Sequence, residues 1–453
     1  MTAITVARPR ASALPAPVLN GYRFELVKLL AQWRIRLMLA ACWLGPAVLV
    51  AVISNQNSLP ADTVFGRWMS QTGWAGTLVV LSFACSWVLP LVTSLVTGDV
   101  FAAEDRLGTW RHLLVAVRSV RRIFAAKALA SLTVVLLLVA GLAASGIVGG
   151  LAAVGNRPLV GLGGQLLTPS HAAIEVLLAW ASALAPTLAF AAVGLLGSVA
   201  LGRSPMGLLM PVLLAFVLQI AQLLPLPVLV RVALPSYAFI AWRGLFTDPA
   251  QPGPIVLGVV VSLAWTAAAS ALAYLMFMRR DFTDPAYDGA GRRVVARGVV
   301  PLAALLAVTI GVVAAATPAS GSGIDRAKLQ TSLATVFAHL YRMQSRELHR
   351  PDVTEQQLQT SASCDKGGSL VEDVGAGNDW RCVVTWHIPG VGAIGSAVYQ
   401  LDVTPDGRYV ADGDGPQDVN GFFQVRTSTG DAPNPLWQFD GSVNLLSQIT
   451  SKG

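Results

Sequence analysis

Two long apolar runs, 75–98 and 123–150, enclose a charged segment, and this arrangement constrains the fold more than any other feature of the chain. Each run exceeds the roughly 20 apolar residues that a helix needs to cross a bilayer. The segment between them, Asp99 to Lys127, holds six Lys or Arg side chains and three acids. Because basic residues concentrate in the cytoplasmic loops of membrane proteins, we expect this segment to face the cytoplasm.

The composition argues against an ordinary soluble domain. The chain is 54% hydrophobic and only 13% charged, which is typical of a polytopic membrane protein. Residues 1–317 hold 22 Lys or Arg and 10 Asp or Glu, whereas residues 318–453 hold 10 and 15. The basic residues therefore accompany the apolar runs and indicate topology. Without a Lys/Arg-rich arm carrying interleaved aromatic residues, we expect no nucleic-acid partner.

Seven apolar segments are predicted to be membrane-spanning helices. The loops and tail on the predicted cytoplasmic side hold 18 Lys and Arg, and the outer loops hold four. This bias predicts a cytoplasmic N-terminus and, with seven spans, an extracytoplasmic C-terminus. The predicted spans are 37–54, 75–98, 123–150, 173–200, 206–224, 255–278 and 299–316.

The segment before the first span is predicted to be an amphipathic helix over residues 17–36, after a cytoplasmic tail at 1–16. Phe24 lies on its apolar face, and Glu25 and Lys28 are among its charged residues. This pattern favours a helix that lies in the inner membrane interface. The alternative is a helical extension of the first span, because the pattern alone does not separate the two.

An apolar segment at 225–246 is interrupted by Pro225, Pro227 and Pro235, so it does not fit a plain span. It fits two short helices that dip back into the outer leaflet, which is tolerated only where they pack against protein. A loop lying on the outer surface is the alternative.

The C-terminal third is predicted to form a separate domain. A cytoplasmic loop at 281–298 leads to the seventh span, and a small-residue linker at 317–323 leads to a small α+β domain at 324–453. Its predicted elements are a helix at 324–349 and strands at 380–388, 396–404, 408–411 and 421–427. The turn Pro405-Asp406-Gly407 predicts a hairpin between the second and third of these strands.

The four cysteines divide into two pairs. Cys42 and Cys85 lie inside apolar spans, where we expect them to behave as small buried hydrophobes. Cys364 and Cys382 lie 18 residues apart in the polar domain and are predicted to form a disulfide. Such a bond requires an oxidising compartment, which favours the same extracytoplasmic side for this domain.

Several catalytic and binding motifs are absent from the sequence. No G-x-x-x-x-G-K-[ST] phosphate loop occurs, so we expect the chain to bind no ATP in the P-loop manner and to be no enzyme by itself. The five histidines lack metal-ligand spacing, and no metal site is predicted. Asp412, Asp414 and Asp418 suggest calcium ligands only weakly, and a solvated acidic turn is the preferred interpretation.

The segment 101–117 is the main candidate for a functional site. Acids near a predicted helix start favour the helix macrodipole, and Gly108 permits a bend or a close backbone approach. The apolar residues suit packing on the membrane interface or in a partner's groove. The alternative is a basic cytoplasmic loop with ordinary helix ends. The candidate residues are Glu104, Asp105, Leu107, Gly108, Thr109, Trp110 and Arg111.

This segment resembles the loop between the second and third spans of ABC type-2 permeases, the membrane subunits of ABC exporters. The shared pattern is an acid, Gly-Thr, a short apolar helix, a basic turn and an Ala-Lys pair that opens the next span. The RFELVKLL segment also resembles that family's interfacial connecting helix, and 225–246 resembles its re-entrant helices. The resemblance covers about residues 19–280; the seventh span and the outer domain exceed the family pattern.

The resemblance implies an all-α, six-span exporter core at 37–280, to which the seventh span and the α+β domain are added. It implies that the helix near 101–117 docks on a separate ATP-binding subunit. Two such ATPase subunits and a second permease subunit, in a homodimer, are the implied partners, together with membrane lipid. ATP and Mg²⁺ would bind the ATPase, this chain would hold no cofactor, and the location would be a bacterial cell membrane. The expected cargo is a lipid-like or drug-like molecule moved out of the cytoplasm.

Polar residues within the spans are further candidates. Gln219 and Gln222 share one face of the fifth span, and Glu175 lies near the outer end of the fourth. They suit either a substrate path or hydrogen bonds between helices. Two other functions remain open from sequence: a mechanotransmission or signalling module that acts through the outer domain, and a membrane-anchored binding protein without an ATPase.

Overall fold

The structure is a computed structural model that describes most of the chain. The predicted tail at 1–16, half of the predicted loop at 281–298 and most of the predicted linker at 317–323 lie outside the described residues. The described residues are 18–55, 65–66, 68–117, 119–202, 206–280, 282, 291–316, 323–368, 371–388, 390–413, 421, 424–427 and 430–446.

The first three quarters of the chain are helical and mostly apolar. A π-helical turn, Ala84–Val88, joins the helices Gly73–Phe83 and Leu89–Leu107, so these two helices form one continuous stretch. Two short antiparallel strands, Leu159–Val160 and Leu166–Leu167, lie in the connection between the helices Val120–Ala153 and Pro169–Ser182. The helices and strands are α1 (Val18–Ala31), α2 (Trp33–Ser54), α3 (Gly73–Phe83), α4 (Leu89–Leu107), α5 (Trp110–Val117), α6 (Val120–Ala153), β1 (Leu159–Val160), β2 (Leu166–Leu167), α7 (Pro169–Ser182), α8 (Leu184–Leu201), α9 (Met206–Leu223), α10 (Val228–Val232), α11 (Ala238–Ala241), α12 (Pro252–Met278) and α13 (Gly291–Ala316).

Within the described residues, six helical stretches are long and apolar enough to cross a membrane. They correspond to six of the seven predicted spans. The fifth predicted span, 206–224, corresponds to α9, whose described apolar part, Leu209–Leu223, is shorter. The seven-span topology therefore stays a prediction. The six stretches are Trp33–Ser54, Gly73–Leu107, Val120–Ala153, Pro169–Leu201, Pro252–Met278 and Gly298–Ala315.

The predicted N-terminal helix is separate from the first span. Helix α1 ends at Ala31, and Gln32 adopts an extended backbone conformation before α2 begins at Trp33. The side chain of Phe24 is exposed, whereas Glu25 is buried against the rest of the protein. Helix α1 is therefore a separate helix and not an N-terminal extension of the first span.

The predicted interrupted segment 225–246 is broken into short pieces. It contains α10 and α11 with 3₁₀ turns at Pro235–Tyr237 and Trp242–Phe246. The large side chains of Trp242 and Phe246 are fully buried, so the segment packs against protein. Its depth in a bilayer stays a prediction.

The C-terminal α+β domain is confirmed in its main elements. Its helix α14 packs on one face of a five-stranded antiparallel sheet ordered β3-β4-β5-β6-β9. The predicted hairpin is the β5–β6 pair, and β4 buries alternate side chains. Strands β3 and β9 were not predicted. The elements are α14 (Arg326–Glu347), α15 (Glu355–Leu358), β3 (Ser361–Lys366), β4 (Gly377–His387), β5 (Ile394–Val403), β6 (Arg408–Gly413), β7 (Gln424–Thr427), β8 (Gly430–Pro433) and β9 (Gln438–Ser442).

The predicted disulfide is confirmed, because Cys364 and Cys382 are direct partners on β3 and β4 and are bonded. Closing a loop of this length contributes about 3 kcal/mol in the chain-entropy model. We expect that replacing both cysteines by alanine lowers the unfolding free energy of this domain by about that amount. Hydrogen exchange of the sheet in the full chain measures the change. Replacing Cys42, a buried free cysteine, is the matched control, and an equal loss of protection in the sheet would contradict the assignment.

The α+β domain docks on the loops at one end of the helical part. Arg243, in the second 3₁₀ turn, forms an ion pair with Asp406 in the β5–β6 turn. Arg231 of α10 donates to the carbonyl of Pro405 in the same turn. On α14, His339 lies with Nδ1 2.6 Å from the carbonyl oxygen of Gly163. The domain therefore rests on both the α6–α7 and α9–α12 connections.

The docking contact contains a carboxylate, Asp406, whose pKa is depressed. Burial by itself would raise the pKa of Asp406, but the guanidinium of Arg243 and a hydrogen bond from Thr404 outweigh it and lower the pKa from 3.8 to about 2. Because the folded-state pKa is depressed, the contribution of this ion pair is complete above about pH 4 and is lost as the pH falls towards 2. We expect undocking, measured by hydrogen exchange of the 400–413 hairpin, to fall in this window. Asp406→Asn should remove the acid step, and an unchanged step would contradict the role of this carboxylate.

Candidate functional site

The candidate segment 101–117 is two helices joined by a tight bend, which corrects the prediction of one helix. Helix α4 ends at Leu107, Gly108 adopts a left-handed conformation with φ of 65°, and α5 begins at Trp110. No atom lies within 4 Å of the position where a Cβ of Gly108 would stand. Of the two predicted uses of Gly108, the structure therefore shows the bend and not a close backbone approach.

Glu104 and Asp105 lie at the end of α4 and not near a helix start, which also corrects the prediction. Their proximity to a helix C-terminus is unfavourable for the macrodipole, so other partners must stabilise them. Thr109 donates through its hydroxyl to Glu104 Oε2 and through its backbone N–H to the Glu104 carbonyl at 3.2 Å. The Gly-Thr pair thus closes the bend onto Glu104.

Glu104 belongs to a buried ion cluster, which we define as Glu25, Lys28, Glu104 and Lys127. Lys127 Nζ lies 2.7 Å from Glu104 Oε1 and 2.9 Å from Glu25 Oε2, and Lys28 also pairs with Glu104. The side chains of Glu104 and Lys127 are each only 1% exposed. Because buried charges are costly unless they are paired, the balance of two acids and two lysines is what makes this burial tolerable.

The ion cluster joins three separate helices. Glu25 and Lys28 are on α1, Glu104 is on α4 and Lys127 is on α6. If one of these helix ends moves, its ion pairs with the other two helices must either break or move those helices with it. Glu104 is consequently an internal residue, and its role in ATPase coupling stays a prediction.

A second set of contacts ties the start of α5 to the end of α12. Asp105 pairs with Arg280 and accepts from Trp110 Nε1 at 2.6 Å. The Arg280 guanidinium also lies over the Trp110 ring at 5.5 Å. The buried Trp110 ring packs with Phe101 and Phe277, with centroids 6.3 and 5.5 Å away. Trp110 is buried and thus anchors α5 inside the chain, whereas the sequence pattern suggests that it packs on the membrane interface or in a partner's groove.

The outer face of α5 is exposed. Leu107 just before the bend is 62% exposed and Val115 is 72% exposed, and Arg111 and His112 are also exposed. Leu113 and Leu114 on the opposite side are half-buried. An apolar and basic surface of this kind, held on a rigid base, suits a protein partner.

Helix α12 separates this surface from the docked α+β domain. Its 27 residues run from Pro252, next to the loops that hold the domain, to Met278, two residues before Arg280. A helix of this length is about 40 Å long, comparable to a bilayer. The α5 surface and the α+β domain therefore lie near opposite ends of the helical part.

The three polar candidates within the spans are placed apart from the α5 surface. Gln219 Nε2 donates to the Cys85 carbonyl at 2.7 Å, and Gln222 Nε2 donates to the Arg231 carbonyl at 3.1 Å. Both glutamines thus connect α9 to neighbouring segments, which supports the hydrogen-bonding alternative over a substrate path. Glu175 Oε1 lies 3.2 Å from Nε2 of His171, one turn earlier on the same helix.

Sequence reasoning missed the partners of several charged residues. Asp99 pairs with Arg34 at 2.8 Å, and Arg280 and Asp406 were not singled out as partners. The available signal was the cost of placing an arginine such as Arg231 or Arg243 in an apolar segment, which requires an acceptor. Nothing in the sequence says which distant residue supplies it.

Within the described part of the chain, no group of three or more His, Cys, Asp or Glu side chains is arranged to hold a metal ion. The two acids of the site, Glu104 and Asp105, are instead engaged in the helix-to-helix pairs above. No protein-family model matches this chain, and no curated protein matches it.

Proposed function

We propose that this chain is the transmembrane permease subunit of an ABC exporter and that α5 is the helix through which a separate ATPase acts. The observation that carries the proposal is the geometry of α5. It is an eight-residue helix between two long apolar helices, with Trp110 anchored inside and Arg111 and Val115 exposed, next to the exposed Leu107 at the end of α4. The sequence contains no phosphate loop, so we assign ATP hydrolysis to a separate polypeptide.

The contacts beneath α5 supply a route for movement. Force on α5 reaches α4 through the bend at Gly108, α12 through Asp105 and Arg280, and α1 and α6 through the ion cluster. Closure of two ATPases would move these helix ends together and shift the cargo path between inward and outward exposure. The work comes from the differential affinity of nucleotide for the two states.

The proposed assembly contains two permease subunits, as a homodimer, and two ATPase subunits in a bacterial cell membrane. In this arrangement the N-terminus and α5 face the cytoplasm and the α+β domain faces outwards, with seven spans in total. The positive-inside bias, the disulfide and the placement of α5 and the domain near opposite ends of α12 support this orientation. The lipid-like or drug-like cargo is part of the same proposal.

Purification of the full chain from its native membrane tests the proposal. We expect an ATP-binding polypeptide without membrane spans to co-purify, and we expect its ATPase activity to change when it is bound. Recovery of the chain without any ATP-binding polypeptide, under conditions that preserve other membrane complexes, would favour a membrane-anchored binding protein instead.

The second candidate function is mechanotransmission, in which the ATPase cycle moves the α+β domain without carrying cargo. The specific observation in its favour is that Arg231 and Arg243 hold that domain directly on the short helices and turns of segment 225–246, which we call the broken helices. ATP-driven uptake of fluorescent lipids and amphiphilic dyes into inside-out vesicles separates the two. Flux supports export, whereas ATP-dependent movement of the domain without flux across the panel supports mechanotransmission.

A further inference from the structure

A cavity of about 370 Å³ lies between the broken helices and the docked α+β domain. This volume falls in the range of small-molecule pockets, about 300–1,000 Å³. One wall is the apolar run Pro225 to Leu229, and the opposite wall is contributed by the α+β domain, including Ile324 and Ala376. The cavity therefore exists only when the domain is docked.

Two exposed apolar residues precede the apolar wall of the cavity in the chain. Leu223 and Leu224, at the end of α9, immediately precede the apolar wall and are 63% and 47% exposed. On a protein with membrane-spanning helices, exposed apolar side chains of this kind are stabilised by contact with the acyl chains of lipids. The residues from Leu223 to Leu229 are all apolar, which suits an acyl chain lying along them.

The charged end of the cavity carries an excess positive charge. Arg231, only 1% exposed, forms part of the wall, and its Nε makes no hydrogen bond among the described residues. Asp406 interacts electrostatically with both Arg231 and Arg243, and its ion pair is with Arg243. The buried guanidinium of Arg231 and the partly buried guanidinium of Arg243 thus share one carboxylate. A phosphate group near Arg231 would balance the remaining charge, and guanidinium suits phosphate because it is weakly hydrated.

We propose that this cavity binds one anionic membrane phospholipid, with an acyl chain along Pro225 to Leu229 and the phosphate held by the field of Arg231. The bound lipid fills the space between the broken helices and the α+β domain, so it strengthens their docking. This proposal does not depend on an ATPase or on export.

Native mass spectrometry of the full chain, purified in a neutral detergent and titrated with phospholipid, tests the proposal. We expect one phosphatidylglycerol to bind about tenfold more tightly than phosphatidylcholine of the same chains, because only phosphatidylglycerol adds a net negative charge in the field of Arg231. Arg231→Gln should remove this preference, and Ala376→Trp, which fills the cavity from the domain side, should abolish binding of the lipid. Arg157→Gln, which removes an exposed arginine from a different loop, is the matched control and should leave the preference unchanged.

The outcomes distinguish the lipid from its headgroup and from nonspecific charge. Glycerol phosphate without acyl chains should neither bind nor compete at the same concentration. Equal binding of the two phospholipids, competition by glycerol phosphate, or an equal loss in Arg157→Gln would each overturn the proposal. If Arg231→Gln does not fold, Arg231→Lys keeps the charge and should keep the preference, while Ala376→Trp still tests the cavity.

Discussion

Lys127→Met is expected to be the most destabilising single substitution in the ion cluster. Lys127 Nζ pairs with both Glu25 and Glu104, and its side chain is 1% exposed. Its loss leaves Glu25 without its cation and Glu104 with Lys28 alone. Removing one partner of a buried ion pair typically costs about 3–5 kcal/mol, because a buried charge is left uncompensated. The unfolding free energy in detergent, followed by denaturant titration, measures this loss.

Arg121→Met is the matched control for that experiment. Arg121 is an exposed cation near the start of the same helix, α6, so its replacement should change the unfolding free energy by about 0.5 kcal/mol or less. Adding Glu25→Gln to Lys127→Met should restore part of the lost stability, because it removes the acid left unpaired. Equal stability of the Lys127 and Arg121 variants would show that the cluster does not hold α1, α4 and α6 together.

Val115→Asp is expected to have the largest effect on assembly with the proposed ATPase while leaving the fold intact. Val115 is 72% exposed on α5, so the substitution buries no charge in the chain itself. In an interface, an unpaired carboxylate in an apolar contact costs about 2 kcal/mol or more, which corresponds to roughly thirtyfold weaker binding. The amount of ATPase that co-purifies per permease measures the effect.

Val391→Asp provides the corresponding control on the α+β domain. Val391 is 71% exposed, so the two substitutions are matched in chemistry and in exposure. We expect Val391→Asp to leave ATPase recovery unchanged. Equal recovery with both variants would exclude the α5 face as the docking surface.

The sequence predicted elements wherever local patterning determines structure. Apolar runs of sufficient length gave six helices, and the alternation of Trp380, Cys382 and Val384 gave a central strand with its disulfide. The Pro405-Asp406-Gly407 turn gave the β5–β6 hairpin. These features depend on residues close together in the chain, so a single sequence is enough to recognise them.

The sequence failed where a residue's environment depends on distant partners. The polar strand Ser361–Lys366 has no apolar alternation and forms because it pairs with β4. Glu104 looks like a surface acid in sequence, but Lys127, 23 residues away, buries it. Asp406 and Arg243 are 163 residues apart, and no local pattern relates them.

A short helix within 101–117 was predicted from the sequence, but the division of this segment into buried and exposed residues was not. The segment 101–117 contains a short helix with an exposed face. The exposed residues of the segment include Leu107, Arg111, His112 and Val115, whereas Glu104 and Trp110 are internal. The bend at Gly108 causes this difference between buried and exposed residues. It ends α4 and turns α5 so that Trp110 packs against Phe101 in the aromatic core. A helical-wheel argument that assumes one continuous helix cannot give that result.

Photo-crosslinking from position 115 tests the central claim most directly. A photoreactive amino acid replaces Val115 in the full chain in native membranes, and the same amino acid at Val391 serves as the control. We predict that position 115 crosslinks to an ATP-binding polypeptide and that position 391 does not. Failure of position 115 to crosslink to any ATP-binding polypeptide, or equal crosslinking from both positions, would contradict the assignment of α5 as the site where an ATPase drives this chain.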